Sequence, residues 1–172
     1  MADFNITIEH IIEAEGGYRL IKVPGDRGGL TCAGISQRAN PTWEGWKLLA
    51  EGASPKSPEV KAAIHRLYRT EYWDEILGDD IANQDFATMA MSCAVLSGVG
   101  TSVRFLQMVT GAKVDGDMGP KTLAAVNAKP AREAMMAFTV GRIARFAGIC
   151  NRTRKQQKFL LGWINRALGE LT

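Results

Sequence analysis

The chain has 172 residues, of which 46% are hydrophobic, and a formal net charge of +3. This composition provides for a sizeable core, most simply in one domain, and it excludes an intrinsically disordered protein. No apolar run approaches the roughly 18 residues that cross a bilayer, so no stable membrane insertion is expected. The first residues lack the basic and apolar regions of a secretory signal, which predicts a protein made in the cytoplasm.

Few residues are arranged as metal or nucleotide ligands. The three cysteines are odd in number and lack metal-ligand spacing, which predicts buried free thiols. The turn at Asp115 begins like a calcium loop, but Val126 occupies the position where a bidentate Glu is needed. The glycine-rich segment 25–34 matches neither the phosphate loop nor the dinucleotide fingerprint. We therefore expect no metal and no other cofactor.

Taken in chain order, the first elements are a helix and a glycine-rich segment. Asp3 or Asn5 can cap the helix at its start, and Gly16 predicts its end just after Glu15. Residues 18–35 contain Pro24 and several glycines, which predicts an irregular loop or a small β-hairpin.

The remainder of the chain has helical periodicity and helix-start signals. Ser57 followed by Pro58 predicts the start of a long helix. The small apolar residues of 86–96 predict a central helix that others pack around. The predicted helices are a short one after Asn40-Pro41, one from Pro58 to about Leu77, then 86–96, 103–109, one opened by Pro120, about 130–149 and 152–169. The chain is thus predicted to be mainly α.

Glu15 is placed where local structure disfavours its negative charge. The last turn of a helix carries the negative end of the helix dipole, which opposes a carboxylate. Shielding from water by Tyr18 and Trp73 would further favour the protonated carboxyl, the form that a general acid needs. Trp73 is, however, more simply explained as a core residue.

A second carboxylate and a hydroxyl follow in the glycine-rich segment. Asp26 and Thr31 lie close to Glu15 in sequence, and the glycines permit tight chain reversal. A protonated Glu facing an ionised Asp is the arrangement that cleaves a glycosidic bond. Asp26 is about equally well explained as a turn residue, and Thr31 as a strand hydroxyl bonded to backbone.

Basic residues are concentrated in the last thirty or so positions. They fit an anionic partner, which can be a nucleic acid, an acidic lipid or a cell-wall polymer, and a solvated helix face explains them equally well. These residues are Arg142, Arg145, Arg152, Arg154, Lys155, Lys158 and Arg166.

A series of short motifs resembles glycoside hydrolase family 108. The motifs are Glu15-Gly-Gly-Tyr18, Asp26-x-Gly-Gly-x-Thr31-x-x-Gly34-Ile35, Tyr72-Trp73-Asp74, Leu106-Gln107, Asp115-Gly116-x-x-Gly119-Pro120-x-Thr122 and Gly162-Trp163-x-x-Arg166. The resemblance implies a mainly α, lysozyme-like single compact unit. It further implies a catalytic region over 1–98 and, over 99–172, a helical region similar to a peptidoglycan-binding domain.

The resemblance implies an N-acetylmuramidase, a lysozyme that cuts the β-1,4 bond of peptidoglycan. Glu15 matches the catalytic glutamate of the family, and the order Glu15, Asp26, Thr31 is similar to the triad of phage-type lysozymes. Tyr18 and Tyr72 are then expected to flank sugar rings.

The wider expectation is a monomeric phage endolysin with no nucleic-acid partner, reaching the host cell wall after release or export. A lytic transglycosylase, which needs one catalytic Glu, remains an alternative. So does a non-enzymatic protein that binds cell wall or nucleic acid.

Overall fold

The computed structural model describes residues 1–22 and 29–171. As predicted, it is mainly α with a small antiparallel sheet. The helices are α1 (Phe4–Ala14), α2 (Gly45–Ala50), α3 (Pro58–Tyr68), α4 (Gln84–Ser97), α5 (Val99–Thr110), α6 (Pro120–Ala128), α7 (Ala131–Arg152) and α8 (Gln157–Gly169). The strands are β1 (Leu20–Lys22), β2 (Leu30–Cys32) and β3 (Ile35–Ser36).

The chain divides into two packing units. One unit, Asp3–Asp74, contains α1, the sheet, α2 and α3. The other, Glu75–Thr172 together with the first two residues, contains α4 to α8.

Helix α1 begins and ends as its sequence predicts. The side chain of Asp3 accepts a hydrogen bond from the N–H of Asn5 and so caps the start. At the other end Gly16, with φ of +93°, donates to Glu13, and Gly17 donates to Ile12. These two bonds form a Schellman motif, in which a glycine adopts a left-handed conformation that other residues rarely adopt. The helix therefore ends at Glu15, its C-cap residue.

The segment expected to be a loop or small hairpin contains a three-stranded antiparallel sheet in the order β1-β2-β3. Leu20 pairs with Cys32 in the first ladder, and Cys32 pairs with Ile35 in the second. Cys32 and Ile35 are both buried. Because side chains alternate along a strand, these two residues hold one face of the sheet in the core.

Helix α3 starts as predicted but changes type before Leu77. Ser57 caps it by accepting from the N–H of Val60, and the α-helix ends at Tyr68. Arg69–Trp73 continues as a π-helical turn. Within this turn the Thr70 hydroxyl donates to the carbonyl of Arg66, which competes with the regular α-helical ladder.

The π-helical turn also delivers Trp73 to the core. Trp73 is fully buried, and its ring meets that of Phe4 edge to face at 5.8 Å. A core role for Trp73 is therefore confirmed. Phe4 in turn lies on the first turn of α1, so this aromatic pair fixes α1 against the end of the α3 segment.

In the second unit α4 is the central helix that the sequence predicts. Its residues from Phe86 to Ala94 are buried except Thr88, which is half-buried. Phe138 on α7 packs edge to face on both Phe86 and Phe105. Helix α5 begins at Val99, four residues before the predicted start, because Gly98 turns the chain directly from α4 into it.

Helix α7 is the longest described helix, with 22 residues. Arg142 lies in its middle and is 1% exposed.

Within the described ranges, no helix is both long and apolar enough to cross a membrane.

A buried charged cluster joins three helices of this unit. Arg142 of α7 forms an ion pair with Glu170, whose side chain is only 4% exposed and which caps the end of α8. Ser92 of α4 donates its hydroxyl hydrogen to the same carboxylate. Because buried charges are costly without partners, this cluster specifies how α4, α7 and α8 pack together.

All three cysteines are buried free thiols, as predicted from their number and spacing. Burial raises the pKa of the Cys32 thiol to about 11, and that of Cys93 to about 11. The thiolate is thus disfavoured at neutral pH at both positions.

Gln107 organises the turn between α5 and α6. Its amide is fully buried, and its oxygen accepts from the N–H groups of Asp115 and Gly116 at 3.0 and 2.9 Å. Its nitrogen donates to Asp115, to the carbonyl of Asp117 and to Thr122. Hydrogen bonds from Asp117 and Gln107 in turn lower the pKa of Asp115 to about 2. The turn is therefore structural.

Replacing Gln107 by Leu should lower the free energy of unfolding by about 2–3 kcal/mol, since the part-buried N–H groups of Asp115 and Gly116 lose the acceptor that the buried amide supplies. Denaturant titration followed by circular dichroism measures the loss. Gln157→Leu, at an exposed site on α8, is the control and should change the free energy by less than about 0.5 kcal/mol. Equal effects of the two changes would contradict a structural role for the Gln107 amide.

Candidate active site

Glu15 lies at the end of α1 as a half-buried side chain. Its N–H closes the last helical turn by donating to Ile11 at 3.0 Å. With φ of −85° and ψ of 7° it is the C-cap residue, so its carboxylate sits at the negative end of the helix dipole. The predicted position of Glu15 is thus confirmed.

The turn between β2 and β3 packs directly against the stem of Glu15. Gly34 has φ of +80°, and a Cβ at this position would lie 3.0 Å from Cγ of Glu15 and 2.6 Å from the Tyr68 hydroxyl. Only glycine leaves room for both groups. The close approach fixes the Glu15 side chain against the turn.

Tyr68 is a site residue that the sequence analysis did not single out. The ring is buried, but the hydroxyl donates to the carbonyl of Ala33 at 2.9 Å. Ala33 has φ of +46°, an unfavourable conformation for a residue with a side chain. The hydrogen bond therefore helps to hold a strained turn beside Glu15. The sequence does contain one signal for this role: Phe would be sufficient for packing at position 68, whereas a buried Tyr usually has a hydrogen-bond partner for its hydroxyl.

Tyr68→Phe should lower the free energy of unfolding by about 1–2 kcal/mol, because the Ala33 carbonyl loses its buried donor. Tyr72→Phe is the matched control: the Tyr72 hydroxyl makes no hydrogen bond to a described residue, and its loss should cost less than about 0.5 kcal/mol. Urea titration of both variants checks the difference. Equal losses would show that the Ala33 bond does not stabilise the turn.

Tyr72 lies near the same carboxylate. It is half-buried, and its ring centroid is 5.6 Å from that of Tyr68. Burial raises the pKa of the Tyr72 hydroxyl, and the negative charges of Glu71 and Glu15 raise it further. Tyr72 is thus within electrostatic reach of Glu15.

Tyr18 contacts side chains of both α1 and α3. Its hydroxyl lies 2.8 Å from Glu9 and 2.8 Å from Nε2 of His65, and Lys61 lies over its ring. Burial, followed by the hydrogen bond and charge of Glu9, raises the pKa of this hydroxyl. Burial and the charge of Lys61 lower the pKa of His65, against the opposing effect of Glu9. These side chains hold the Gly16-Gly17-Tyr18 segment against α3.

The ring of Tyr18 nevertheless borders an open cavity of about 470 Å³. Ile12 and Gly17 also line it, with polar side chains that include Glu9. A cavity of this size beside a half-buried tyrosine can accept a small polar ring.

Thr31 is the middle residue of β2 and is half-buried. It pairs with Ile21 on β1 and Ser36 on β3, so the three side chains share one face of the sheet. Asp26 lies outside the described residues. That Glu15, Asp26 and Thr31 act together therefore stays a prediction. Glu15 caps the end of α1, and Thr31 lies on β2, whose following turn packs against Glu15.

No group of three or more His, Cys, Asp or Glu in residues 1–22 and 29–171 could hold a metal ion. The Glu15 side chain and the Tyr68 hydroxyl lie beside the β2–β3 turn, and the Tyr72 hydroxyl lies within the field of Glu15. The chemistry available to these groups is proton transfer and charge stabilisation.

A mainly α fold with a carboxylate at a helix end, packed against a small antiparallel sheet, defines the lysozyme-like class. Residues 8–98 match the family model of Glycosyl hydrolase 108, and the chain belongs to this family. Residues 101–168 match a second family model, described as a Predicted Peptidoglycan domain.

A solved structure supports this assignment. The structure of Brucella abortus SagA is similar, with a TM-score of 0.66 and 30% sequence identity. The match covers 98% of this chain and 95% of that chain. No curated protein matches the chain.

The protein is therefore a glycoside hydrolase, and the two matched regions together make it a peptidoglycan hydrolase with a cell-wall target. The family resemblance and the enzyme class expected from the sequence are confirmed. The match to Glycosyl hydrolase 108 extends beyond Asp74, the last residue of the packing unit that contains α1 and the sheet.

Proposed function

We propose that the protein is an N-acetylmuramidase that cleaves the β-1,4 bond between N-acetylmuramic acid and N-acetylglucosamine. The observation that carries the proposal is the position of Glu15: half-buried, at the negative end of α1 and held against Gly34. A carboxyl group held in one position by its neighbours is suited to donating a proton to a bound substrate. Glu15 is then the general acid that protonates the leaving glycosidic oxygen.

The proposal gives Asp26 and Thr31 supporting roles. A second carboxylate is needed to stabilise the positive charge that develops on the sugar ring or to activate water, and Asp26 is the candidate. Thr31, on the sheet that follows Glu15, is the candidate for orienting water or substrate through its hydroxyl.

Tyr18 and Tyr72 are the proposed sugar contacts. Aromatic rings stack on the apolar faces of sugars while polar groups bind the hydroxyls. Tyr72 lies within the field of Glu15, and Tyr18 borders the cavity of about 470 Å³. The two tyrosines would therefore contact different parts of a glycan strand.

We further propose a division of labour between a catalytic region over 1–98 and a wall-binding region over 99–172. The matches at 8–98 and 101–168 support this boundary. One glycosidase joined to one wall-binding region would suffice for a monomeric phage endolysin with no nucleic-acid partner. Expressing the protein in bacteria with and without a membrane pore tests this role, since an endolysin should lyse cells only with the pore.

Mass spectrometry of digested peptidoglycan tests the proposed bond specificity. Fragments with reducing N-acetylmuramic acid ends are expected. Reducing N-acetylglucosamine ends would assign the enzyme to the other glycan bond, and 1,6-anhydro ends would make it a lytic transglycosylase. A folded protein that releases no fragments from several wall types would leave only wall binding.

A further inference from the structure

A basic groove runs between α5 and α7 in the second unit. Its open volume is about 440 Å³, within the range of small-ligand sites. Among the described residues, three arginines line it, Arg104 from α5 and Arg145 and Arg152 from α7, and no acidic side chain does. The groove therefore has a strongly positive lining.

Arg104 is held in place by the backbone around it. Its Nη1 and Nη2 each donate at 3.1 Å, to the carbonyls of Gly100 and Asp115. A Cβ at Gly116, where φ is +90°, would lie 2.7 Å from the guanidinium carbon. The guanidinium is thus packed on glycine backbone, and two of its five N–H donors are used by these bonds. Its charge is not neutralised by either carbonyl.

Arg145 and Arg152 are exposed and form no ion pair with any described residue. The sequence has no acidic residue from 134 to 169, so the turns of α7 around these two arginines supply no counter-charge. An uncompensated row of guanidiniums along a groove attracts an anion and binds carboxylate well.

Small residues and apolar side chains shape the rest of the groove. A Cβ at Gly141 would lie 3.1 Å from Phe105, which shows how closely the two helices approach there. Farther along, the α7 side of the groove is formed by the small residues Ala144 and Gly148. Met108, which is 52% exposed, supplies an apolar edge. The lining suits a ligand with short alkyl segments between anionic groups.

We propose that this groove binds the peptide stems of peptidoglycan through their free carboxylates. Stems are short chains of small residues with free carboxylates, which matches the charge, width and apolar edge of the groove. The groove lies within the region that matches the Predicted Peptidoglycan domain. The inference rests on the proposed function for its ligand, and it adds a specific site and a chemical group to it.

Nucleic acid fits this groove less well. Single-stranded binding sites stack bases on accessible aromatic rings, whereas Phe105 is buried against Phe138. The volume of about 440 Å³ suits a few residues of peptide and not a duplex.

Sedimentation with purified sacculi tests the proposal. The full chain carries Glu15→Gln so that the wall stays intact, and binding is compared between untreated sacculi and sacculi whose carboxylates are converted to neutral amides. Arg145→Gln and amidation should each weaken binding about tenfold, and together they should have little further effect. Arg132→Gln, an exposed arginine on α7 outside the groove, is the matched control and should bind like the parent.

Three outcomes would overturn the proposal: equal binding to amidated sacculi, equal effects of Arg145→Gln and Arg132→Gln, or loss of duplex DNA binding in Arg145→Gln without loss of sacculus binding. Thermal unfolding of both variants verifies that they are folded. Cleavage of soluble, peptide-free glycan by the protein with Glu15 intact is measured separately. That assay reports on the muramidase proposal alone, so failure of either proposal can be recognised.

Discussion

Glu15→Gln is expected to lower kcat/KM on peptidoglycan by about 10²- to 10⁴-fold, the range for loss of a general acid. The amide keeps the size of the carboxyl but cannot donate a proton as an acid. Because Cγ of Glu15 packs at the Gly34 position, an isosteric change should leave the β2–β3 turn in place. Release of reducing ends from purified peptidoglycan measures the loss, and thermal unfolding verifies the fold.

The chain offers a matched control in Glu51→Gln. Glu51 is also the C-cap residue of a helix, α2, and it is exposed. Its ionic partner among the described residues is Lys47, at 3.9 Å. Its replacement changes the same charge at an equivalent helix end, and activity should stay within about twofold of wild type. Equal losses in both variants would show that net charge, and not proton donation by Glu15, limits the rate. Full activity of Glu15→Gln would remove Glu15 from the mechanism.

The two variants also separate catalysis from helix stability. Removing a carboxylate from a helix end relieves its unfavourable interaction with the dipole, so both changes should be neutral or slightly stabilising, by at most about 1 kcal/mol. An inactive Glu15→Gln protein with unchanged or raised stability is the pattern expected of a residue selected for function against local stability.

The features that the sequence predicts well are local. Asp3, Gly16, Ser57 and Pro58 act within a few residues of themselves, through caps and fixed dihedral angles, so the helix limits that they predict are confirmed. The position of Glu15 at the end of α1 follows from Gly16 alone.

The features that sequence reasoning missed depend on contacts between distant residues. The bond from Tyr68 to Ala33 joins residues 35 apart, and the tie between Tyr18 and His65 joins residues 47 apart. Helical periodicity can predict that Tyr68 lies on a buried helix face, but it carries no information on where the hydroxyl points. Arg142 shows the same limit, because it was grouped with the basic surface residues and is instead buried beside Glu170.

Replacing Glu170 by Leu is expected to lower the free energy of unfolding of the second unit by about 3–5 kcal/mol. The change leaves Arg142, which is 1% exposed, without its ionic partner in the core. Two of its buried nitrogens, Nε and Nη2, already lack a hydrogen-bond partner among the described residues. Ser92 also loses its acceptor. Denaturant unfolding followed by circular dichroism measures the loss.

A double-mutant cycle isolates the ion pair. Arg142→Met alone leaves the buried Glu170 carboxylate with Arg166, at 3.8 Å, as an ionic partner and should also cost several kcal/mol. Arg142→Met with Glu170→Leu removes both charges of the Arg142–Glu170 pair and should recover at least half of the loss. Glu133→Gln is the surface control: its partner Lys129 lies four residues earlier, before the start of α7, Glu133 is 62% exposed, and the cost should stay below about 1 kcal/mol. Additive losses in the double variant would mean that the two side chains stabilise α7 and α8 separately. Recovery would show that the pair fixes how these helices pack on α4 while contributing little net stability, since an apolar pair would then serve nearly as well.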